Sequence, residues 1–237
     1  MKDHVRLGLI IPSSNTIVEP EFNRMTPPGF TVHASRMRLR NVDAAELRLM
    51  LRDAERCVKE LADATVSVVG FACTSGSFVG GPASFKKISA KLERVGGTPS
   101  ITSSEAVIEA LRAVGAASVA VATPYTDSIN RREKQMLHHA GFKVSAMKGL
   151  GIVGNVKIGR QGPNVAYELG LSVDSKRADA ILLSCTNLGT IEIIERLERR
   201  LRKPVISSNT ATLWLMLKKT GYKKPIHGFG RLFYVGT

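Results

Sequence analysis

At 237 residues, with 43% hydrophobic and 23% charged side chains, the chain has the length and composition of a core-forming globular protein, which excludes a disordered tail or a fibre. No apolar stretch is long enough to cross a bilayer, so a membrane partner is not expected. Its 34 basic and 20 acidic residues leave a charge of +14, but the basic run at 196–203 interleaves with Glu192, Glu195 and Glu198, and aromatics are only 5%. That pattern reads as solvated helix faces able to attract anions, and it argues against a nucleic-acid partner.

Taken in chain order, residues 5–11 predict a short aliphatic strand that ends in Pro12-Ser13-Ser14-Asn15-Thr16. This run is too short for the core of an export signal and meets Pro12 with no cleavage site, so the expected location is the cytoplasm. Three cysteines, an odd number, then read as reduced thiols. Residues 44–64 place Leu47, Leu51, Ala54, Val58 and Leu61 at helical spacing and predict one amphipathic helix, with Cys57 packed near its stripe. A strand over 66–72 ends in Cys73-Thr74-Ser75-Gly76-Ser77. A helix over 103–114, capped by Ser103, leads to a strand over 118–122 that ends in Thr123-Pro124-Tyr125. Asp127 is the expected cap of a helix over 127–140. Helices over 163–176 and 188–201 flank a strand over 180–184 that ends in Cys185-Thr186-Asn187. A last helix contains Leu213-Trp214-Leu215-Met216-Leu217.

Two motifs are set aside. Gly149-Leu150-Gly151-Ile152-Val153-Gly154 matches a dinucleotide fingerprint, but no convincing helix follows it. His138 and His139 are adjacent on a helix and point about 100° apart, so they cannot share a metal. Neither a metal nor a cofactor is expected.

The strand ends repeat. Cys73 and Cys185 are 112 residues apart, as are Pro12 and Pro124, while Pro99 and Pro204 are separated by 105. Strand–helix alternation within a duplicated chain predicts an α/β protein of two pseudo-symmetric, Rossmann-like or flavodoxin-like halves built on parallel sheets. The first half takes residues 1–98 with 208–237, and the second takes 99–207. Ligands of such sheets bind beyond the carboxyl ends of the strands, where the two cysteine motifs and the motifs at Pro12 and Pro124 lie.

Singly, either cysteine reads as a small buried hydrophobe. As a pair facing one cleft they read as catalytic groups, each expected at a helix start that draws its thiol pKa down from about 8.5 toward neutrality. One thiolate and one thiol would then form a base and an acid. Ser14, Asn15, Thr74, Ser75, Thr186 and Asn187 are candidates to hold a carboxylate. Tyr125 is either a further donor or an aromatic at the interface.

The paired cysteine phrases resemble the aspartate/glutamate racemase superfamily. Pro12-Ser13-Ser14-Asn15-Thr16 with Glu19-Pro20-Glu21, Thr123-Pro124-Tyr125, the segment Asn155-Val156-Lys157-Ile158-Gly159-Arg160, and Cys185 are similar to its maleate cis-trans isomerase branch. The resemblance implies two pseudo-symmetric α/β halves, a homodimer and cofactor-independent chemistry beside a small carboxylate. It also implies that Cys73 adds to a substrate double bond, that Cys185 handles the proton, and that Asn15, Tyr125 and Asn155 bind carboxylates. In a racemase the two thiols would instead be opposed acid/base groups. Thr74-Ser75-Gly76 departs from the isomerase branch and resembles arylmalonate decarboxylases, which however have glycine where Cys73 stands. The expected activity is thus isomerisation of maleate, with an amino-acid racemase or arylmalonate decarboxylase-like enzyme as the alternative. An anion- or nucleic-acid-binding protein is the alternative outside enzymes.

Overall fold

The structure, a computed structural model, describes residues 4–235; the chain ends assigned to the first half, 1–3 and 236–237, lie outside the described residues. The chain runs β1 (Val5–Pro12), α1 (Val18–Met25), β2 (Phe30–Met37), α2 (Ala44–Met50), α3 (Ala54–Asp63), β3 (Val68–Phe71), α4 (Thr74–Phe78), α5 (Ser84–Gly96) and β4 (Ser100–Thr102). It continues with α6 (Ser103–Ala113), β5 (Ser118–Thr123), α7 (Asp127–His139), β6 (Lys143–Gly149), α8 (Asn155–Gly159) and α9 (Pro163–Val173). The last elements are β7 (Ala180–Leu183), α10 (Ile194–Leu201), β8 (Val205–Ser207) and α11 (Ser208–Lys219).

The strands form two four-stranded parallel sheets, ordered β2-β1-β3-β4 and β6-β5-β7-β8. The inner strands β3 and β7 are buried throughout and carry no polar side chain, as a parallel sheet covered on both faces requires. In each sheet the chain reverses its direction of winding between the first and third strands. That switch point leaves a crevice at their carboxyl ends. Pro12 and Cys73 follow β1 and β3 there, and Pro124 and Cys185 follow β5 and β7. Among the described residues no helix is long and apolar enough to cross a membrane.

Several elements differ from the sequence reading. The helix expected over 44–64 is two, α2 and α3, joined by a tight 3₁₀ turn at Leu51–Asp53 from which Asp53 accepts the Arg38 amide at 3.1 Å. Ser103 is not the cap of α6: Thr102 is, its hydroxyl accepting the Glu105 amide at 3.2 Å. Asp127 is the first residue of α7 rather than its cap. The helix expected over 188–201 begins only at Ile194, and the residues before it are turns. A one-turn helix, α8, does follow Gly154, with its first amide bonded to the Arg40 carbonyl at 2.9 Å. The strand at Ser100–Thr102, which the sequence places in the second half, pairs with β3 and completes the first sheet. The edge strands β2 and β6 escaped detection because their polar residues face solvent on one side.

Helices α6 and α11 pack against each other along the seam between the sheets, with Thr212 donating to Ser103 at 2.9 Å. Their first turns buttress the cysteine loops in matched fashion. Ser104 donates to the Thr74 carbonyl (3.3 Å) and Asn209 donates to the Thr186 carbonyl (3.1 Å). A second clasp crosses the seam where Asn41 bridges Gly154 and the Val42 amide reaches the Val153 carbonyl at 2.7 Å.

Candidate active site

Both sheet switch points open onto this seam, and the two thiols meet there. Cys73 is 3% exposed and Cys185 is 5% exposed. Cys73 is close enough for its charge to raise the Cys185 thiol. Cys73 occupies the N-cap of α4 in extended conformation, and the Gly76 amide and the Ser75 hydroxyl, 3.9 Å away, favour its thiolate. Cys185 receives the Asn187 amide on Sγ at 3.3 Å and the Tyr125 hydroxyl. Its own amide donates to the Ser208 hydroxyl at 3.1 Å.

Neither thiol pKa is drawn down toward neutrality. Burial pushes Cys73 up to about 11 and Cys185 up to about 12. The helix after Cys73 is a single turn and none follows Cys185 directly, so little dipole opposes the loss of water. Both cysteines are therefore thiols in the closed site. Cys57, expected as packing, is buried in α3 as a free thiol.

The other predicted residues form one connected network around the thiols. Asn15 spends its Oδ1 on the amides of Ile17 (2.9 Å) and Val18 (3.0 Å), which start α1, and donates across the seam to Thr186 at 3.1 Å. Thr186 passes its own proton to the Ala72 carbonyl at 3.0 Å. Asn187 accepts the Thr16 amide (2.9 Å) and donates to the Asn155 carbonyl (2.7 Å). Asn155 donates to the Ser14 hydroxyl (2.9 Å), which itself donates to the Leu39 carbonyl at 2.5 Å. The Thr74 hydroxyl donates to Ser208 at 2.8 Å.

This distribution separates two groups. The hydroxyl protons of Ser14, Thr74 and Thr186 are committed to holding loops and halves together. The Ser75 hydroxyl and the second amide protons of Asn15, Asn155 and Asn187 are the donors left for an anion, and the Tyr125 hydroxyl, which rests on Cys185, becomes one when it turns from the sulfur. Tyr125 is itself buried, and its phenol is pushed up by burial and by neighbouring negative charge, so it stays a neutral donor.

The sequence reading missed Glu133. It lies on the inner face of α7 with Ile129, Met136 and Leu137, it is fully buried, and burial pushes its carboxyl up to about 7, an effect that the Ser184 hydroxyl offsets only in part. An ionisable residue at four-residue spacing from Ile129 on an apolar stripe was the available signal. Its folded value is raised, so its stabilising contribution is fully present in acid and is lost as pH rises from 4.5 through about 7. Glu133→Gln cannot ionise. Urea titrations should find it more stable than the parent by about 2–3 kcal/mol at about pH 8, and nearly equal at about pH 4.

A sequence profile of the arylmalonate decarboxylase family matches residues 7–233. The chain is 32% identical over 246 residues to a maleate isomerase of Geobacillus stearothermophilus, with 98% of each sequence covered. It superposes on the maleate isomerase Iso of Pseudomonas putida S16, crystallised with maleate as a cysteine-to-alanine variant, with a TM-score of 0.94 at 33% identity and 97% of each chain covered. A Nocardia farcinica maleate cis-trans isomerase variant holding a covalently bound succinylcysteine intermediate gives 0.93 at 30% identity, covering 97% of this chain and 98% of that one.

Proposed function

The chain belongs to the arylmalonate decarboxylase family, within the aspartate/glutamate racemase superfamily, and on that basis we propose that it is a cofactor-independent isomerase converting maleate to fumarate. The observation that carries this reading is the pair Cys73 and Cys185, one from each sheet, enclosed together in a site rimmed with amide donors. Addition and elimination across a double bond need a nucleophile on one carbon and a proton carrier on the next. A single thiol, with glycine in place of Cys73, would supply only the second.

Because burial is what keeps the thiols protonated, opening the seam to admit substrate re-solvates Cys73 and lets its proton leave to water. The Cys73 thiolate adds to one alkene carbon, and the displaced electron pair is held as an enediolate at the adjacent carboxylate. The Cys185 thiol gives its proton to the second carbon. The bond between them is now single and rotates. Cys185, now thiolate, takes a proton back, the carbon–sulfur bond breaks and fumarate forms. Asn15, Asn155, Ser75 and Tyr125 hold the two carboxylates and stabilise the charge that grows on one of them. The net charge of +14 favours approach of a dianion.

Proton NMR of the protein with maleate in D₂O tests the reading: fumarate must appear. α-Deuteration of aspartate or glutamate without fumarate would make it a racemase, and carbon dioxide loss from an arylmalonate would make it a decarboxylase. We read the enzyme as a homodimer of the cytoplasm, in keeping with three buried free thiols. Light scattering of the purified protein tests the dimer.

A further inference from the structure

Glu133 takes no part in the steps above, yet among the described residues neither of its carboxyl oxygens has a partner in good hydrogen-bond geometry, the Ser184 hydroxyl being the one donor that acts on it. It stands 112 residues after Glu21, the offset that also relates Cys185 to Cys73. Each half therefore carries one buried glutamate in the helix after its first strand. Their surroundings differ sharply. Glu21 accepts the amides of Thr190 (2.6 Å) and Ile191 (3.1 Å) and the Asn209 side chain (2.6 Å). The two amides come from the irregular segment that follows Cys185. The matching segment after Cys73 is α4, which uses its amides internally: Ser77 donates to the Cys73 carbonyl and Val79 to the Ser75 carbonyl, both at 3.0 Å. These α4 amides are therefore not available to Glu133.

An unscreened carboxylate acts on whatever lies near it. Burial raises Cys185 and Tyr125 most, and negative charge on Cys73 and on Glu133 raises both further, whereas Cys73 is shifted by burial and by its Gly76 and Ser75 contacts without a contribution from Glu133. We propose that Glu133 is a positioning residue that makes two related thiols unequal: its buried carboxylate adds to burial in keeping Cys185 protonated as the proton carrier, and leaves Cys73 to become the nucleophile. The proposal rests on the two-thiol reading, and it concerns how the roles are assigned within it.

The groups facing Glu133 leave it the dominant charge in its surroundings. Ser184, Cys185 and Tyr125 approach from the ends of β7 and β5, and α4 carries no charged residue. On β6, Lys143 and Lys148 are exposed. On its own helix, Arg131 and Lys134 are exposed, and Arg132 is turned to the Val79 carbonyl at 3.4 Å.

The test is the ratio of iodoacetamide alkylation rates at Cys185 and Cys73, read by mass spectrometry on the substrate-free protein. In the parent this ratio should fall by about tenfold as pH rises through about 7, because ionisation of Glu133 lowers the thiolate fraction of Cys185 only. In Glu133→Gln the ratio should be flat through the same range, with Cys185 the faster relative to the parent at about pH 8. A flat ratio in the parent overturns the proposal, even if the variant does not fold. So does a fall that persists in the variant. Both readouts are independent of turnover, so failure to isomerise maleate and failure of this assignment remain distinguishable.

Discussion

Cys73→Ala should lose maleate turnover by about 10⁴-fold or more, because the thiol that remains, Cys185, stands at the second carbon as the proton carrier and leaves the first carbon without a nucleophile. The Ser75 hydroxyl, 3.9 Å from the sulfur, is a weak nucleophile at its ordinary protonation. The substitution removes one buried sulfur and should cost about 1 kcal/mol of stability, so the loss is chemical rather than structural. Cys185→Ser should behave differently. Addition at Cys73 survives, while return of the proton is slowed, so an adduct of substrate mass should accumulate on Cys73. Intact-mass spectra after quenching with maleate would show it. Retention of turnover within about tenfold of the parent in Cys73→Ala would remove the thiol from the reaction.

Gly149→Ala should destabilise the protein by about 3 kcal/mol or more. A Cβ at this position would stand 2.3 Å from Asn130 Nδ2, 2.3 Å from the Tyr125 carbonyl oxygen and 3.3 Å from Thr123 Oγ1. Asn130 cannot simply swing away, since its Oδ1 accepts the Thr123 hydroxyl at 2.6 Å. The Tyr125 carbonyl is backbone, held by the Gly151 amide at 3.1 Å. Relief must therefore move the Tyr125 loop, so surviving soluble protein should also lose activity at the Cys185 side of the site. Gly162→Ala is the comparison, because a Cβ there meets nothing within 4 Å and should change stability by less than about 0.5 kcal/mol. Urea midpoints of the two variants read the difference directly.

Much of the candidate site was legible from local sequence. Strand β3 and strand β7 are short, apolar and closed by small polar residues, and the turn chemistry of Pro12–Asn15 and Thr123–Tyr125 marks the other two strand ends. A repeat in chain position then implies a repeat in space, which is why every residue singled out lies in one network. What failed was of another kind. The helix expected from residue 188 begins only at Ile194, and the amides of Thr190 and Ile191 in the turns before it bind Glu21 from the opposite half. The thiols, expected to be acidic, are held protonated because neighbours from both halves exclude water from them.

Periodicity, strand ends and the duplication are properties of neighbouring residues, and these set the α/β architecture, the two crevices and the two cysteines. Hydrogen-bond partners and local dielectric depend on residues more than a hundred positions away, and these were decided only by folding. Thr74 and Thr186 look like equivalent anion donors along the chain, yet both spend their protons on scaffolding. Glu21 and Glu133 occupy equivalent positions, yet one is satisfied by three donors and the other has only the poorly aligned Ser184 hydroxyl. The free energy of a buried polar group is fixed by what surrounds it, and the two halves surround theirs differently.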